Sequence, residues 1–138
     1  MQIQVDPLSS LPIYQQIRDR VVEGIASGEL PAGAKLVSIR RLAAVLEVNV
    51  ETVVKAYDLL RRDGFLQTSE KSGSRIVSGR EQRGVTVDSL PEGWSARMTT
   101  LIAEAVALGL PAPVLVEYAK AITEDFLVQN RVVGSYGH

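Results

Sequence analysis

The sequence predicts a mostly α-helical protein with one small β-hairpin. Apolar residues recur at helical spacing in five segments, and two short alternating runs flank a glycine-containing turn. A polar stretch with two glycines and a proline separates the first three helices from the last two. With 46% apolar and 22% charged residues, the 138-residue chain has the composition of a globular protein rather than a disordered one.

The first predicted helix has Pro12 in its first turn, a position that suits proline, and is ended by Gly28. Its apolar stripe recurs every four residues and consists of Ile13, Ile17, Val21 and Ile25. The polar residues fall mostly outside that stripe. This segment is therefore an amphipathic helix with one face directed to a core.

Two further helices follow closely. Ser38 is a suitable N-cap for a helix from Ile39 to about Glu47, and Asn49 is a suitable N-cap for the next. Asp63 and Gly64 end that third helix. Tyr57 has helical spacing with the apolar residues of the third helix, which predicts a core position.

A β-hairpin is predicted directly after the third helix, with strands over residues 65–70 and 75–77 and a turn over residues 71–74. Three helices, the last two joined by a three-residue turn, followed by a hairpin, give the element order of a winged helix-turn-helix. In that fold the third helix enters the DNA major groove with its N-terminal residues foremost, and the second helix crosses the backbone.

The C-terminal region is predicted to be a two-helix dimerisation region. We divide the chain into a winged helix-turn-helix domain (1–78), a linker (79–92) and this helical region (93–138). Two helices have too few neighbours to bury their apolar faces alone, and a second copy supplies the missing partner. The predicted dimer interface comprises Trp94, Met98, Leu101, Ile102, Ala105, Leu115, Tyr118, Ile122 and Phe126.

Several motifs resemble one family. They are residues 12–17 (PIYQQI), 28–33 (GELPAG), 36–43 (LVSIRRLA) and the pattern Asn49, 52–53, 55–57 and 60–65. Together they resemble the GntR family of bacterial transcriptional regulators, over about residues 11–78. The short C-terminal region resembles the YtrA-type subfamily. The resemblance implies double-stranded DNA as a partner, a homodimer and a small-molecule effector as a further possible partner, of unknown identity.

The resemblance and the residue chemistry together predict the DNA-contacting residues. Ser38 and Arg40 match a contacting pair at the start of the second helix, and Gly73 corresponds to the wing tip. Val50 can contact a thymine methyl group, and Glu51 can accept a hydrogen bond from a cytosine amino group. The full predicted set is Ser38, Arg40, Arg41, Asn49, Val50, Glu51, Thr52, Lys55, Lys71, Gly73 and Arg75.

Simpler roles stay open for several of these residues. Arg40 and Arg41 can form a solvated helix face, Asn49 is first of all a cap, and Glu51 can merely complement the helix dipole. The sequence also departs from the family pattern. Val37, Arg41 and Glu47 stand where the family usually has proline, glutamate and glycine, and Val50 and Val54 stand where many members have arginine.

The net charge of −1 conceals an uneven distribution along the chain. Residues 30–80 hold nine basic and five acidic residues, a net charge of +4. Residues 1–29 and 81–138 carry net charges of −2 and −3. The basic segment coincides with the predicted DNA-contacting elements, as expected for a nucleic-acid interface.

Other classes of function lack the residues they need. Cysteine is absent and the single histidine is His138, so the sequence predicts no thiol chemistry, no metal site, no cofactor and no catalytic triad. We therefore expect no enzyme. The absence of an apolar run of about 20 residues and of an N-terminal signal pattern predicts a cytoplasmic protein without a membrane partner.

The sequence thus predicts a sequence-specific DNA-binding transcriptional regulator, interpreted as a homodimeric repressor on a pseudo-palindromic operator. The alternative is a winged-helix protein-interaction module that does not recognise DNA sequence. The near-neutral charge of the chain and the valines of the third helix favour that alternative.

Overall fold

The computed structural model describes the backbone of residues 2–136 and the side chains of residues 2–128. The chain divides into two compact units, Met1–Glu81 and Gln82–His138. The first unit contains three helices and a hairpin, in the order that the sequence predicts. They are α1 (Ile13–Ser27), α2 (Ile39–Leu46), α3 (Val50–Arg62), β1 (Leu66–Ser69) and β2 (Gly73–Ile76).

The core of the first unit is aliphatic around one tyrosine. Tyr57 of α3 is fully buried, as predicted from its spacing. It is surrounded by apolar residues of every element of the unit, among them Ile17, Val21, Leu42, Val53, Leu60, Leu66 and Ile76. Because α1 packs on α3 and α2 packs on α3, the third helix is held from two sides.

Local capping sets the ends of the three helices. Gly28 takes the left-handed conformation (φ 87°) that ends α1. The Ser38 hydroxyl accepts a hydrogen bond from the Arg41 N–H (3.2 Å), and the Asn49 Oδ1 accepts one from the Glu51 N–H (2.9 Å). Both predicted N-caps are therefore confirmed. The short turn between α2 and α3 runs from Glu47, which ends α2 in the left-handed conformation, to the Asn49 cap.

The hairpin is antiparallel, with Leu66 opposite Ile76 and Ser69 opposite Gly73. Its turn occupies residues 70–72, so the predicted turn over 71–74 is displaced. Gly73, predicted at the wing tip, instead begins β2 and has a φ of 71°. The sheet is extended beyond the prediction by a bridge between Lys35 and Arg75, which attaches the segment before α2 to the wing.

The N-terminal segment is attached to α1 by one buried side chain. Gln16 accepts a hydrogen bond from the Asp6 N–H (2.7 Å) and donates to the carbonyl oxygens of Asp6 (3.0 Å) and Leu11 (2.8 Å). Its amide is satisfied by the backbone, as a buried polar group requires. The fixed segment places Ile3 and Val5 against the core.

The second unit begins with a 3-10 turn at Val87–Ser89 and continues with α4 (Trp94–Ala107) and α5 (Ala112–Tyr136). Gly109 lies between the two helices with a φ of 90°, where the sequence predicts a break. No residue of α4 is buried. Within the described part of the chain, no helix combines the length and apolar character that a membrane crossing requires.

Candidate nucleic-acid interface

The first turn of α3 presents three side chains beyond its cap. Val50 is 42% exposed, Glu51 is exposed and Thr52 is half-buried. Asn49 is exposed as well as capping, so its amide nitrogen remains available to a ligand. The beginning of the third helix therefore offers a methyl surface, a carboxylate and amide donors, which are groups that can contact base edges in a major groove.

The first turn of α2 contributes two cations. Arg40 and Arg41 are both exposed, and neither side chain forms an ion pair with any residue whose side chain is described. Arg41 also borders a groove of about 850 Å³ between the N-terminal segment and α2. Ser38, beside them, has its hydroxyl oriented to the backbone as a cap. Two exposed guanidinium groups thus lie at the start of the helix-turn-helix.

Lys55 follows one turn after Glu51 on the exposed face of α3. Its ammonium lies 4.0 Å from the centroid of the Tyr14 ring, a cation–π contact between α3 and α1. Tyr14 is not among the residues that the sequence predicts at the interface. The two residues are 41 positions apart, and no local pattern indicates such a contact.

The wing carries the remaining predicted residues. Lys71 lies exposed in the turn, and Gly73 is at the beginning of β2. Arg75 is exposed, but its guanidinium donates to the Gly33 carbonyl oxygen (3.0 Å), which ties the wing to the loop after α1. A role of Arg75 as a phosphate contact stays a prediction.

Arg61, which is not among the predicted DNA-contacting residues, positions the wing. Arg61 of α3 donates to the Thr68 hydroxyl of β1 (2.9 Å) and pairs with Asp58. Thr68 in turn shares a hydrogen bond with Ser74 across the hairpin (2.9 Å). The wing is thus linked by side chains to the helix that it follows.

The chemistry of this surface is that of binding rather than of reaction. It consists of exposed cations and amide, hydroxyl and methyl groups at the starts of two helices and on a hairpin. Among the described residues no group of histidine, aspartate and glutamate side chains is placed to hold a metal ion. His138 lies outside the described residues.

Comparison with known proteins decides the family. Residues 13–76 match the profile described as "Bacterial regulatory proteins, gntR family". The chain is 34% identical to the HTH-type transcriptional repressor YtrA of Bacillus subtilis over 123 residues, 89% of this chain and 93% of YtrA. The chain belongs to the GntR family.

Solved structures agree with the family assignment. A transcriptional antiterminator from Listeria monocytogenes superimposes with a TM-score of 0.78 at 27% identity, covering 91% of this chain and 92% of that protein. YtrA from Sulfolobus acidocaldarius, a GntR-family transcription factor, gives a TM-score of 0.59 at 38% identity, covering 76% and 97%.

The match to YtrA of Bacillus subtilis, which covers 89% of this chain and 93% of that protein, confirms the resemblance to short YtrA-type GntR members. As a GntR regulator, the chain is a DNA-binding transcription regulator with a winged helix-turn-helix, and not an enzyme. The family assignment does not specify which of the eleven predicted residues contact DNA. These residue assignments stay predictions.

Proposed function

We propose that this GntR regulator is a homodimeric repressor that binds a pseudo-palindromic operator in the cytoplasm. The observation that carries the dimer is the exposed apolar surface of the second unit. Leu101 and Tyr118 are 65% and 66% exposed. Met98, Ile102 and Ile122 are also exposed, and Trp94, Ala105, Leu115 and Phe126 are half-buried.

Such a surface favours association. Soluble monomers rarely leave large apolar surfaces in water, because burying them is favourable, and no residue of α4 is buried within the single chain. A symmetric dimer covers the same patch on both copies at once. The predicted interface residues therefore have a physical reason to meet their equivalents in a second chain.

Dimerisation also supports operator recognition. One winged unit carries a net charge of only +4 over residues 30–80, so a single unit binds DNA weakly. Two units in one dimer contact two half-sites whose separation follows the helical repeat of the duplex. A two-fold symmetric protein corresponds to a pseudo-palindromic operator.

The repressor assignment is supported by the relative in Bacillus subtilis, which is itself named a repressor. Occupation of a promoter by the dimer would exclude the transcription machinery. We propose the same action for this chain, because the match covers both its DNA-binding unit and its C-terminal helices.

Genomic binding-site selection with the purified full chain tests this function, together with sedimentation velocity. We expect inverted repeats with half-site centres about 10 base pairs apart, or a multiple of that. We also expect a dimer at micromolar concentration. Recovery of no enriched sequence favours the protein-interaction alternative, and a monomer that binds a single half-site contradicts the dimeric mechanism.

A further inference from the structure

The sequence of α3 favours an ion pair that the structure does not form between its described side chains. Glu51 and Lys55 are four residues apart on α3, with the acid on the N-terminal side, which is the favourable order for a helical salt bridge. Among the residues whose side chains are described, no ion pair joins these two. The Lys55 ammonium lies instead over the Tyr14 ring, 4.0 Å from its centroid.

Tyr14 is well placed to hold the lysine. It is the second residue of α1, is half-buried and packs against the core of the first unit. Its ring position is thus set by the packing of α1 on α3. An aromatic face attracts a cation through the quadrupole of the ring, so Tyr14 competes with Glu51 for the Lys55 ammonium.

The consequence concerns the Glu51 carboxylate. A carboxylate can accept a hydrogen bond from a cytosine amino group in the major groove. A carboxylate that is already paired with a neighbouring ammonium is a weaker acceptor for a base. Because the Lys55 ammonium is held on the side of α1, the Glu51 carboxylate, which is exposed on the first turn of α3, can accept a hydrogen bond from a base.

We propose that Tyr14 is a positioning residue for base recognition, which holds Lys55 away from Glu51 so that Glu51 can select a cytosine. The proposal rests on the function proposed above, because it requires that the first turn of α3 contacts bases. It assigns to α1 a part in sequence preference without direct contact between α1 and a base.

The test uses the full chain and an operator selected with the wild-type protein. Each base pair of one half-site is changed in turn, and the affinity ratio between the original and changed duplexes is measured by anisotropy. The position at which Glu51→Ala, which removes the acceptor oxygens, abolishes the preference for a cytosine identifies the base that Glu51 contacts. At that position we expect Tyr14→Leu to reduce the preference about tenfold, the scale of one good base contact.

Two further variants separate positioning from folding. Tyr14→Phe retains the aromatic face and should retain the preference. The double variant Tyr14→Leu with Lys55→Met should regain the affinity ratio between the two duplexes, because no ammonium remains to pair with Glu51, whereas a lost phosphate contact of Lys55 would weaken binding to both duplexes equally. A residue that merely stabilised the fold would not be rescued by removing Lys55. If Tyr14→Leu fails to fold, the test uses Tyr14→Met, a variant that keeps an apolar side chain and removes the ring.

The outcomes distinguish this inference from the proposed function. Wild-type protein without any sequence preference overturns the proposed function itself. A wild-type preference that Glu51→Ala leaves unchanged shows that Glu51 contacts no base and overturns the inference alone. A preference that Glu51→Ala abolishes but that survives loss of the Tyr14 ring also overturns the inference and leaves the proposed function standing.

Discussion

The Tyr57 hydroxyl donates a hydrogen bond of 2.6 Å to the Val37 carbonyl oxygen. The donor lies on α3 and the acceptor lies in the segment that leads into α2. Because the Tyr57 ring is fully buried, this bond fixes the third helix relative to the entry of the second. A helix-turn-helix needs its two helices in a fixed relative position to dock into a groove.

Burial of Tyr57 predicts a loss of stability in alkaline solution. Burial raises the pKa of the Tyr57 hydroxyl well above its ordinary value of about 10. Above about pH 10 the unfolded chain loses a proton that the folded chain keeps, so the free energy of unfolding falls as pH rises. The slope from this residue approaches about 1.4 kcal/mol per pH unit, and below about pH 10 it disappears.

Urea unfolding at fixed protein concentration, between about pH 8 and about pH 11, measures this effect. Tyr57→Phe removes the titrating group and should show a smaller alkaline decline, with a loss of about 1 kcal/mol at neutral pH from the missing hydrogen bond. Equal alkaline slopes for the wild type and Tyr57→Phe would contradict the assignment.

The backbone of Glu47 has a strained conformation. It has a φ of 56° and a ψ of 46° at the end of α2, and it is the one residue other than glycine with a positive φ among the described residues. A side chain in this conformation costs about 1–2 kcal/mol, which exceeds the entropic cost of glycine. Glu47→Gly should therefore raise the free energy of unfolding by about 0.5–1 kcal/mol. Glu47→Ala is the control and should give no such gain.

Arg40 is the clearest candidate for a base contact from α2. If it contacts guanine, Arg40→Ala should weaken binding to the selected operator by about 1–3 kcal/mol and relax the preference at one position. Arg20→Ala is the matched control, since Arg20 lies on α1 and already pairs with Glu23. Titration of both variants with the operator and with a shuffled duplex shows whether the loss of affinity depends on sequence. An equal loss on both duplexes would assign Arg40 to phosphate instead.

The exposed apolar residues of α4 predict a specific way to dissociate the proposed dimer. Leu101→Asp places a charge in the proposed interface and should convert the dimer into a monomer at micromolar concentration, because an unpaired charge is costly to bury. Thr100→Asp adds the same charge at the neighbouring exposed position and should leave the dimer intact. Sedimentation velocity distinguishes the two results. A Leu101→Asp protein that remains dimeric would place the interface elsewhere.

The local features of the fold were predictable from sequence because their causes are local. Ser38 and Asn49 cap the helices that they precede, and Gly28 ends α1 with a left-handed residue. Each of these outcomes depends on a few neighbouring residues and on backbone sterics. The buried position of Tyr57 followed likewise from helical periodicity.

The contacts that sequence analysis missed are distant along the chain. Arg75 reaches the Gly33 carbonyl across 42 positions, and Lys55 reaches Tyr14 across 41. No regular sequence spacing predicts either contact, because only the tertiary packing brings the two residues together. The turn of the wing differs from the prediction for a local reason, because Gly73 pairs with Ser69 and so belongs to the strand.

Fluorescence anisotropy of the full chain with a labelled duplex from its own promoter region tests the central claim most directly. We predict tight binding to that duplex, much weaker binding to a shuffled duplex of the same composition, and a steep loss of affinity as salt rises. Equal affinity for both duplexes, or no binding at low salt, would contradict the account of this protein as a sequence-specific regulator.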